Sequence, residues 1–496
     1  MVPQFYQFQT GKASGVFITF TPLCNTNQYF MDSIKFGTDG WRAIIAQDFT
    51  TDNVKRVSFG TAEWILKQGA ENPSVVIGHD CRFAGPLFVQ AAASVFVSKG
   101  IRVYYADGFV STPMISLGAR HFNTTLGVII TASHNPPTYS GYKLKGNFGG
   151  PLLPENIAEV EALIPDFVPT VPDIRLSENP LCEKVDLEGL YLQRVRESFD
   201  LEAIKKSGFR FAYDAMYGAG RGVMPKIMPG IEMLHGEENP NFGGVAPEPI
   251  LKNLGEFSNY IREAGNIRSG LATDGDADRI GLFDSRGEFV DSHHIILLLI
   301  HYLVKYKGFR GKVVTAFSVT DKVKKLCEHY GLEQETVKIG FKYVAGYFLS
   351  EDVLLGGEES GGIAVKGHIP ERDGIWMGLI IWEFMAKSGK SLEELIDEIY
   401  AIVGSFKYDR SDLHIQEELK QRVMAKCAAG GFTSFGGKTV TKLETTDGFK
   451  YHFPDGEWLM IRASGTEPVL RVYAEAADKE SVAVFLNESV REILAS

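Results

Sequence analysis

From Met31 onward the chain alternates short apolar runs with longer segments of helical periodicity, and that alternation restricts it to layered α/β architectures. Val75 to Asp80 reads as a buried strand ending in an acid, Pro86 to Lys99 as an Ala/Val/Phe-rich helix, and Ile101 to Ala106 as the next strand. The same order returns at Phe209 to Asp214 with the glycine-rich Gly218 to Gly222, and again at Lys312 to Phe317 with a helix over Asp321 to Tyr330. Such recurrence predicts tandem α/β domains, although the units are too diverged to demonstrate duplication. Boundaries fall at the Pro- and Asp-rich stretch from Pro165 to Pro180, at the turn Asp284-Ser285-Arg286-Gly287, and at Gly404 to Asp412. They give units 31–180, 181–287, 288–404 and 405–496. In the last, Lys438 to Leu443, Lys450 to Phe453, Trp458 to Arg462 and Leu470 to Ala474 read as short strands and Lys479 to Leu494 as an amphipathic helix, a small α+β domain.

The 496 residues are enough for several domains with their own cores, and 44% hydrophobic with 23% charged residues is an ordinary globular balance. A formal charge of -11 argues against a nucleic-acid partner, because a phosphate backbone would be repelled. Five scattered cysteines form no CxxC pair, so neither a disulfide framework nor a thiolate zinc site is indicated, and a cytoplasmic location is expected. No apolar run approaches the roughly 18 residues that span a bilayer, and Ile295 to Ile300, the most apolar stretch, ends at His301. Residues 1–30 carry one Lys, no Arg and no acid, a poor secretory signal. Plastid targeting by that stretch stays open beside two other readings: translation from Met31, or a disordered extension.

Four segments carry chemistry. Thr131-Ala132-Ser133-His134-Asn135-Pro136-Pro137 follows the apolar strand Leu126 to Ile130, at the strand edge where open α/β sheets place ligands. Ser133 is not in G-x-S-x-G, and the adjacent His134 is badly placed to turn onto its hydroxyl, which weakens a hydrolase reading. Lys143 supplies a nearby cation. Asp274-Gly275-Asp276-Ala277-Asp278-Arg279 offers three alternating acids that suit a hard cation such as Mg²⁺. An EF-hand fails, because Arg279 stands where its loop needs Gly and Ser285 where it needs Glu. The plain alternative is a solvated acidic turn, in which like charges repel.

Gly356-Gly357-Glu358-Glu359-Ser360-Gly361-Gly362 places acids and a hydroxyl on a flexible loop suited to vicinal sugar hydroxyls, and Gly367 to Gly374 adds His368 and Arg372. Arg462-Ala463-Ser464-Gly465-Thr466-Glu467-Pro468 combines an Arg fork, hydroxyls and backbone N–H groups into a phosphate nest, with a hairpin turn as the bland reading. Lys387 to Ser391 has the end of a Walker loop, but Phe384 occupies its first glycine position. Gly218 to Gly222 is a weak dinucleotide signal.

In this order the segments resemble the α-D-phosphohexomutase superfamily, the phosphoglucomutases and phosphomannomutases, over residues 31–496. Thr131 to Pro136 matches the family's TASHNP phosphoserine motif, Asp274 to Arg279 its DGDADR metal loop, Gly357 to Ser360 its GEES sugar loop and Arg462 to Pro468 its RxSGTEP phosphate loop. Gly37-Thr38-Asp39-Gly40-Trp41-Arg42 resembles its opening motif. The resemblance implies three α/β domains with mixed sheets and a smaller α+β domain around a central cleft. It implies a phosphohexose mutase that interconverts hexose 1-phosphate and hexose 6-phosphate through phosphorylated Ser133 and a bisphosphorylated sugar.

Mg²⁺ is then expected on Asp274, Asp276, Asp278 and the Ser133 phosphate, with hexose 1,6-bisphosphate as activator and intermediate. Ser133, Arg42, Lys143 and His134 form the expected catalytic group, Lys143 as general base or acid if its pKa is lowered. Glu358, Ser360, Gly340, Arg279, His368 and Arg372 are expected to bind the sugar phosphate, and Arg462, Ser464, Gly465 and Thr466 its distal phosphate. Glucose is the expected sugar, with mannose open. Phosphoglucosamine mutases carry Gln in place of the second loop Glu, which points away from that branch. Two other classes compete: a metal-dependent sugar phosphatase, which would release phosphate but lacks the DxDx[TV] pattern because Arg279 follows Asp278, and a non-catalytic sugar-phosphate-binding protein. Oligomeric state is not legible.

Overall fold

A computed structural model describes residues 33–463 and 469–495. The first sheet runs, strand by strand, Trp41–Ile44, Tyr139–Gly146, Leu126–Ile130, Ser74–His79, Arg102–Phe109, Cys182–Val185. Its last four strands are parallel, and Tyr139–Gly146 pairs antiparallel with both neighbours. Ser74–His79 is buried along its whole length, as a central strand covered on both faces requires. The helices over it start where the sequence caps them: Thr50 accepts from the Asn53 N–H ahead of Thr51–Lys67, and Pro86 sits in the first turn of Gly85–Ser98. Cys182–Val185 corrects the boundary drawn at residue 180, since it completes the first sheet beside Arg102–Phe109.

The second sheet orders Phe289–Val290, Ile280–Phe283, Ile267–Thr273, Arg210–Asp214 and Glu232–Leu234, and the third Gln334–Val337, Lys312–Ala316, Val353–Gly357 and Ile363–Val365. Both are mixed, with antiparallel pairing toward one edge. These two units share one continuous core. The helix Gly374–Ser388 lies between them, stacking Trp382 on Phe211 at 4.5 Å and Trp376 against Phe199 at 4.7 Å. Ile295 to Ile300 is fully buried in the helix Ser292–His301, and among the described residues no helix is long and apolar enough to cross a membrane.

The fourth unit is an antiparallel sheet, Lys407–His414, Val469–Ala476, Trp458–Ala463, Phe449–His452, Lys442–Glu444, covered by the helices Glu417–Ala428 and Lys479–Leu494. The run from Lys438 to Leu443 is not one strand. Lys438–Thr439 pairs with Ser434–Phe435, and the chain then changes partner at Thr441, whose N–H reaches the His452 carbonyl, to join the main sheet. The architecture is three α/β units followed by a smaller α+β unit.

Candidate active site

Ser133 follows the strand Leu126–Ile130, buried, at φ 52°. A left-handed backbone costs a non-glycine residue roughly 1–2 kcal/mol and has to be held by its surroundings. Its N–H donates to Thr131 Oγ1 at 2.8 Å, and its Oγ donates to Asp274 Oδ2 at 2.7 Å. The strained turn therefore aims the hydroxyl from the first unit at the acids of the second.

Those acids hang from the turn between Ile267–Thr273 and Ile280–Phe283, where Ala277 is also left-handed at φ 58°. Oxygens of Asp274, Asp276 and Asp278 all lie within 4.8 Å of one another, fully buried, and Asp276 Oδ1 and Asp278 Oδ1 have no hydrogen-bond partner. Burial, reinforced by Asp276 and Asp278, pushes the Asp274 carboxyl well above its usual range. Converging, under-compensated carboxylate oxygens fit a small hard divalent cation. Gly218 explains the unused glycine cluster, because a Cβ there would lie 2.7 Å from the Asp274 carbonyl. That motif allows close backbone approach beneath the metal loop.

Lys143 reaches this cluster from Tyr139–Gly146, with Nζ 2.8 Å from Asp276 Oδ2, 3.0 Å from Asp278 Oδ2 and 2.7 Å from Asp39 Oδ2. Burial disfavours its charge, but Asp276, Asp278 and Asp39 outweigh burial and hold its pKa above the ordinary value. In this carboxylate environment the ammonium form is favoured, and Nζ donates to Asp276 Oδ2 and Asp278 Oδ2. Asp39 also pairs with Arg42 and with Arg372, which bonds Asp278 as well at 2.7 Å. Burial would raise the Asp39 carboxyl, yet Arg372, Lys143, Lys145 and Arg42 keep it well below its usual range.

Arg42 Nη1 donates to Asn135 Oδ1 at 2.6 Å, beside His134. His134 Nδ1 is buried without a partner, and burial together with Arg279, Arg42, Lys143 and Arg82 holds the imidazole neutral. A neutral ring among cations can donate to or accept from an anionic ligand without adding charge.

Arg279 and Gly362 form an isolated bridge that joins the metal loop to the glycine-rich loop. Glu358 Oε1 accepts the Gly340 N–H at 2.8 Å, and burial raises its pKa against the pull of Arg372 and Arg279. Gly340 is required at φ 131°, where a Cβ would meet Thr38 at 3.0 Å. Ser360 is half-buried in the same turn. Its neighbour Glu359 faces the fourth unit, accepting from Arg410 at 2.9 Å and Tyr408 at 3.0 Å. Arg462 Nε donates to Asp447 Oδ1 at 3.2 Å, and Asp447 Oδ2 accepts the Ile339 N–H at 2.9 Å, so the fourth unit meets the turn before Gly340. Ser464, Gly465 and Thr466 lie outside the described residues.

The His368 side chain is wholly buried, Nε2 bonded to Asp373 at 3.0 Å and the ring stacked on Trp376 at 3.6 Å, while its Nδ1 has no hydrogen-bond partner. Lys145, Glu371, Asp80 and Arg82, by contrast, were not singled out by sequence reasoning and lie around the cluster. Asp80 ends a buried strand and Glu371 sits beside Arg372, but single residues without a motif gave no stronger signal.

A hydroxyl aimed at an acidic triad, with buried lysine and arginine around it at the junction of three α/β units, is a site suited to phosphoryl transfer. Models of the phosphoglucomutase/phosphomannomutase α/β/α domains I, II and III match residues 33–167, 190–287 and 291–403, and that of the C-terminal domain matches 415–491. A phosphoglucomutase/phosphomannomutase of Thermococcus kodakarensis is 32% identical over 92% of this chain and 97% of its own. A phosphoglucosamine/phosphogalactosamine mutase of Sulfurisphaera tokodaii is 29% identical over 91% and 97%. A crystal structure of a Thermus thermophilus protein designated a phosphomannomutase superposes with TM-score 0.83 at 33% identity, covering 94% of this chain and 100% of that one. The chain belongs to the phosphoglucomutase/phosphomannomutase family and is an intramolecular phosphotransferase. Phosphoglucosamine mutases recur among its relatives, so family membership leaves the sugar open.

Proposed function

We propose that the protein interconverts glucose 1-phosphate and glucose 6-phosphate, with Ser133 as the phosphoryl carrier. The observation that carries this reading is the Ser133 hydroxyl held 2.7 Å from Asp274 at the edge of the carboxylate triad. Asp274, Asp276 and Asp278 would hold Mg²⁺, which when bound supplies charge neutralisation for the transferring phosphoryl group.

In the forward half-reaction the sugar C6 oxygen attacks the phosphorus carried on Ser133. The new P–O bond forms as the P–Oγ bond breaks, its electron pair passes to Oγ, and the proton leaving the sugar hydroxyl is balanced by protonation of Oγ. Lys143 and Arg42 would stabilise the negative charge in that transfer. The second half-reaction reverses the roles, as Oγ takes the C1 phosphoryl group and glucose 6-phosphate remains. Glu358 and Ser360 would bind sugar hydroxyls, with Gly340 fixing the orientation of Glu358, while Arg462 with Ser464, Gly465 and Thr466 would hold the phosphate that does not react.

Incubation with Mg²⁺, a trace of the matching 1,6-bisphosphate and the 1-phosphates of glucose, mannose or glucosamine tests the proposal. Glucose 6-phosphate should form fastest and free phosphate should not accumulate. Faster turnover of the glucosamine or mannose phosphate would reassign the sugar, and release of phosphate without isomerisation would make the protein a phosphatase.

A further inference from the structure

The Ser133 turn poses an energetic question that the motif residues do not answer. Pro136 and Pro137 in the loop 133–139 have no N–H, and the loop's own backbone bonds pair its carbonyls only in part, Tyr139 donating to the Pro136 carbonyl at 3.0 Å. A buried carbonyl left unpaired destabilises the loop that presents it, so the remaining carbonyls need a partner if Ser133 is to stay left-handed. That partner is Arg82. Its Nη2 donates to the carbonyls of Ser133 at 2.7 Å and Asn135 at 2.6 Å, and its Nη1 to those of Pro136 and Tyr139, both at 2.9 Å.

The guanidinium is itself fixed from two sides. Its Nε lies 3.3 Å from Asp80 Oδ2, and its face covers the Phe242 ring of the second unit at 5.0 Å from the centroid. Asp80 also accepts the Arg82 N–H at 2.9 Å and the Thr131 hydroxyl at 2.5 Å, and the same Thr131 oxygen receives the Ser133 N–H. Arg82 and Asp80 are both buried, with 3% and 1% exposure, and neither touches the metal acids or the sugar loop through any hydrogen bond described.

We infer that Arg82 is a positioning residue for phosphoryl transfer: aligned by Asp80, its fork fixes the backbone of residues 133–139 so that Ser133 Oγ is presented to the acidic triad. A lysine cannot do this, because a single ammonium nitrogen with three N–H groups cannot replace two nitrogens that together reach four carbonyls. The inference rests on Ser133 being the phosphoryl carrier.

The test compares the full-length protein with Arg82→Met, Arg82→Lys and Asp80→Asn. It reads steady-state kcat and KM for glucose 1-phosphate, together with the single-turnover rate at which labelled phosphoryl passes from glucose 1,6-bisphosphate to the protein. Arg82→Met and Arg82→Lys should lose about 100-fold in both kcat and single-turnover rate, the scale of a misplacement near 1 Å. KM should stay within about threefold, because the sugar and distal-phosphate contacts lie in other units. Millimolar guanidinium should restore Arg82→Met by about tenfold or more, leaving the wild type and Arg82→Lys unchanged. Asp80→Asn, which keeps an acceptor but loses the charge, should fall by about tenfold in the single-turnover rate and settles the question if Arg82→Met does not fold. A wild-type single-turnover rate in Arg82→Met or in Asp80→Asn would overturn the inference, as would a loss expressed in KM with no guanidinium rescue. If the wild type itself takes no label on Ser133, the carrier reading fails first. A labelled wild type beside an equally fast Arg82→Met defeats the Arg82 inference alone.

Discussion

Ser133 and Lys143 show how little a side chain's identity determines without its neighbours. Burial disfavours the Lys143 charge, and Asp276, Asp278 and Asp39 favour it. Its removal should therefore act as loss of a buried counter-charge. Lys143→Met is expected to reduce kcat by about 100- to 1,000-fold in steady-state assays, with a smaller change in KM. The motif residues were legible because each motif is a contiguous loop in which turn chemistry and reactive groups coincide, as in Thr131 to Pro136 and Asp274 to Arg279. Arg82 was not, since the carbonyls it binds lie some fifty residues downstream in the chain, as the separation of 51 to Ser133 shows. The packing of His368 was hidden for the complementary reason: its ring is stacked on Trp376, whose position only the fold reveals.

Among the secondary-structure elements, the strand Val469–Ala476 carries a carboxylate that couples the fourth unit to pH. Glu475 is buried near Lys450 and Lys322, and burial, only partly offset by those cations, raises its pKa from 4.5 to about 7. Below pH about 4.5 it is protonated in folded and unfolded chains alike. As pH rises toward 7 the unfolded chain releases the proton first, so stability falls across that interval and the full penalty stands above it. Glu475→Gln should consequently stabilise the protein at pH 8 by up to about 3 kcal/mol and leave it nearly unchanged at pH 4.5, measured by denaturant unfolding. Strand existence was readable from apolar runs, whereas partner choice was not. Cys182–Val185 joins the sheet before it rather than the one after it, and the run from Lys438 to Leu443 divides because two different partners claim its ends.

Over the whole molecule, a net charge of -11 coexists with a junction that gathers Arg42, Lys143, Arg279 and Arg372 beside the acids. Long-range repulsion thus governs which polyanions approach, while the local groups govern what is bound. The units are tied across this junction by a fully buried pair, Lys145 Nζ to Glu371 Oε2 at 2.8 Å, with the Ser116 hydroxyl donating to the same oxygen at 2.9 Å. Glu371→Gln should cost up to about 3 kcal/mol by leaving Lys145 with only the more distant Asp39, 3.8 Å away, as counter-charge, and the double change Lys145→Met with Glu371→Leu should recover part of it in the same unfolding experiment. The order of four units was visible in the sequence, but the core shared by the second and third units and this staple were not, because they join residues far apart in the chain, as the 255-residue separation of Ser116 and Glu371 illustrates. The central claim is that Ser133 carries the phosphoryl group between the two positions of one sugar. Peptide mapping after exposure to labelled glucose 1,6-bisphosphate and Mg²⁺, followed by a chase with unlabelled glucose 1-phosphate, tests it most directly. The account predicts label on the peptide containing Ser133, its transfer to sugar during the chase, and no label in Ser133→Ala; label on another residue, or undiminished label and turnover in Ser133→Ala, would contradict it.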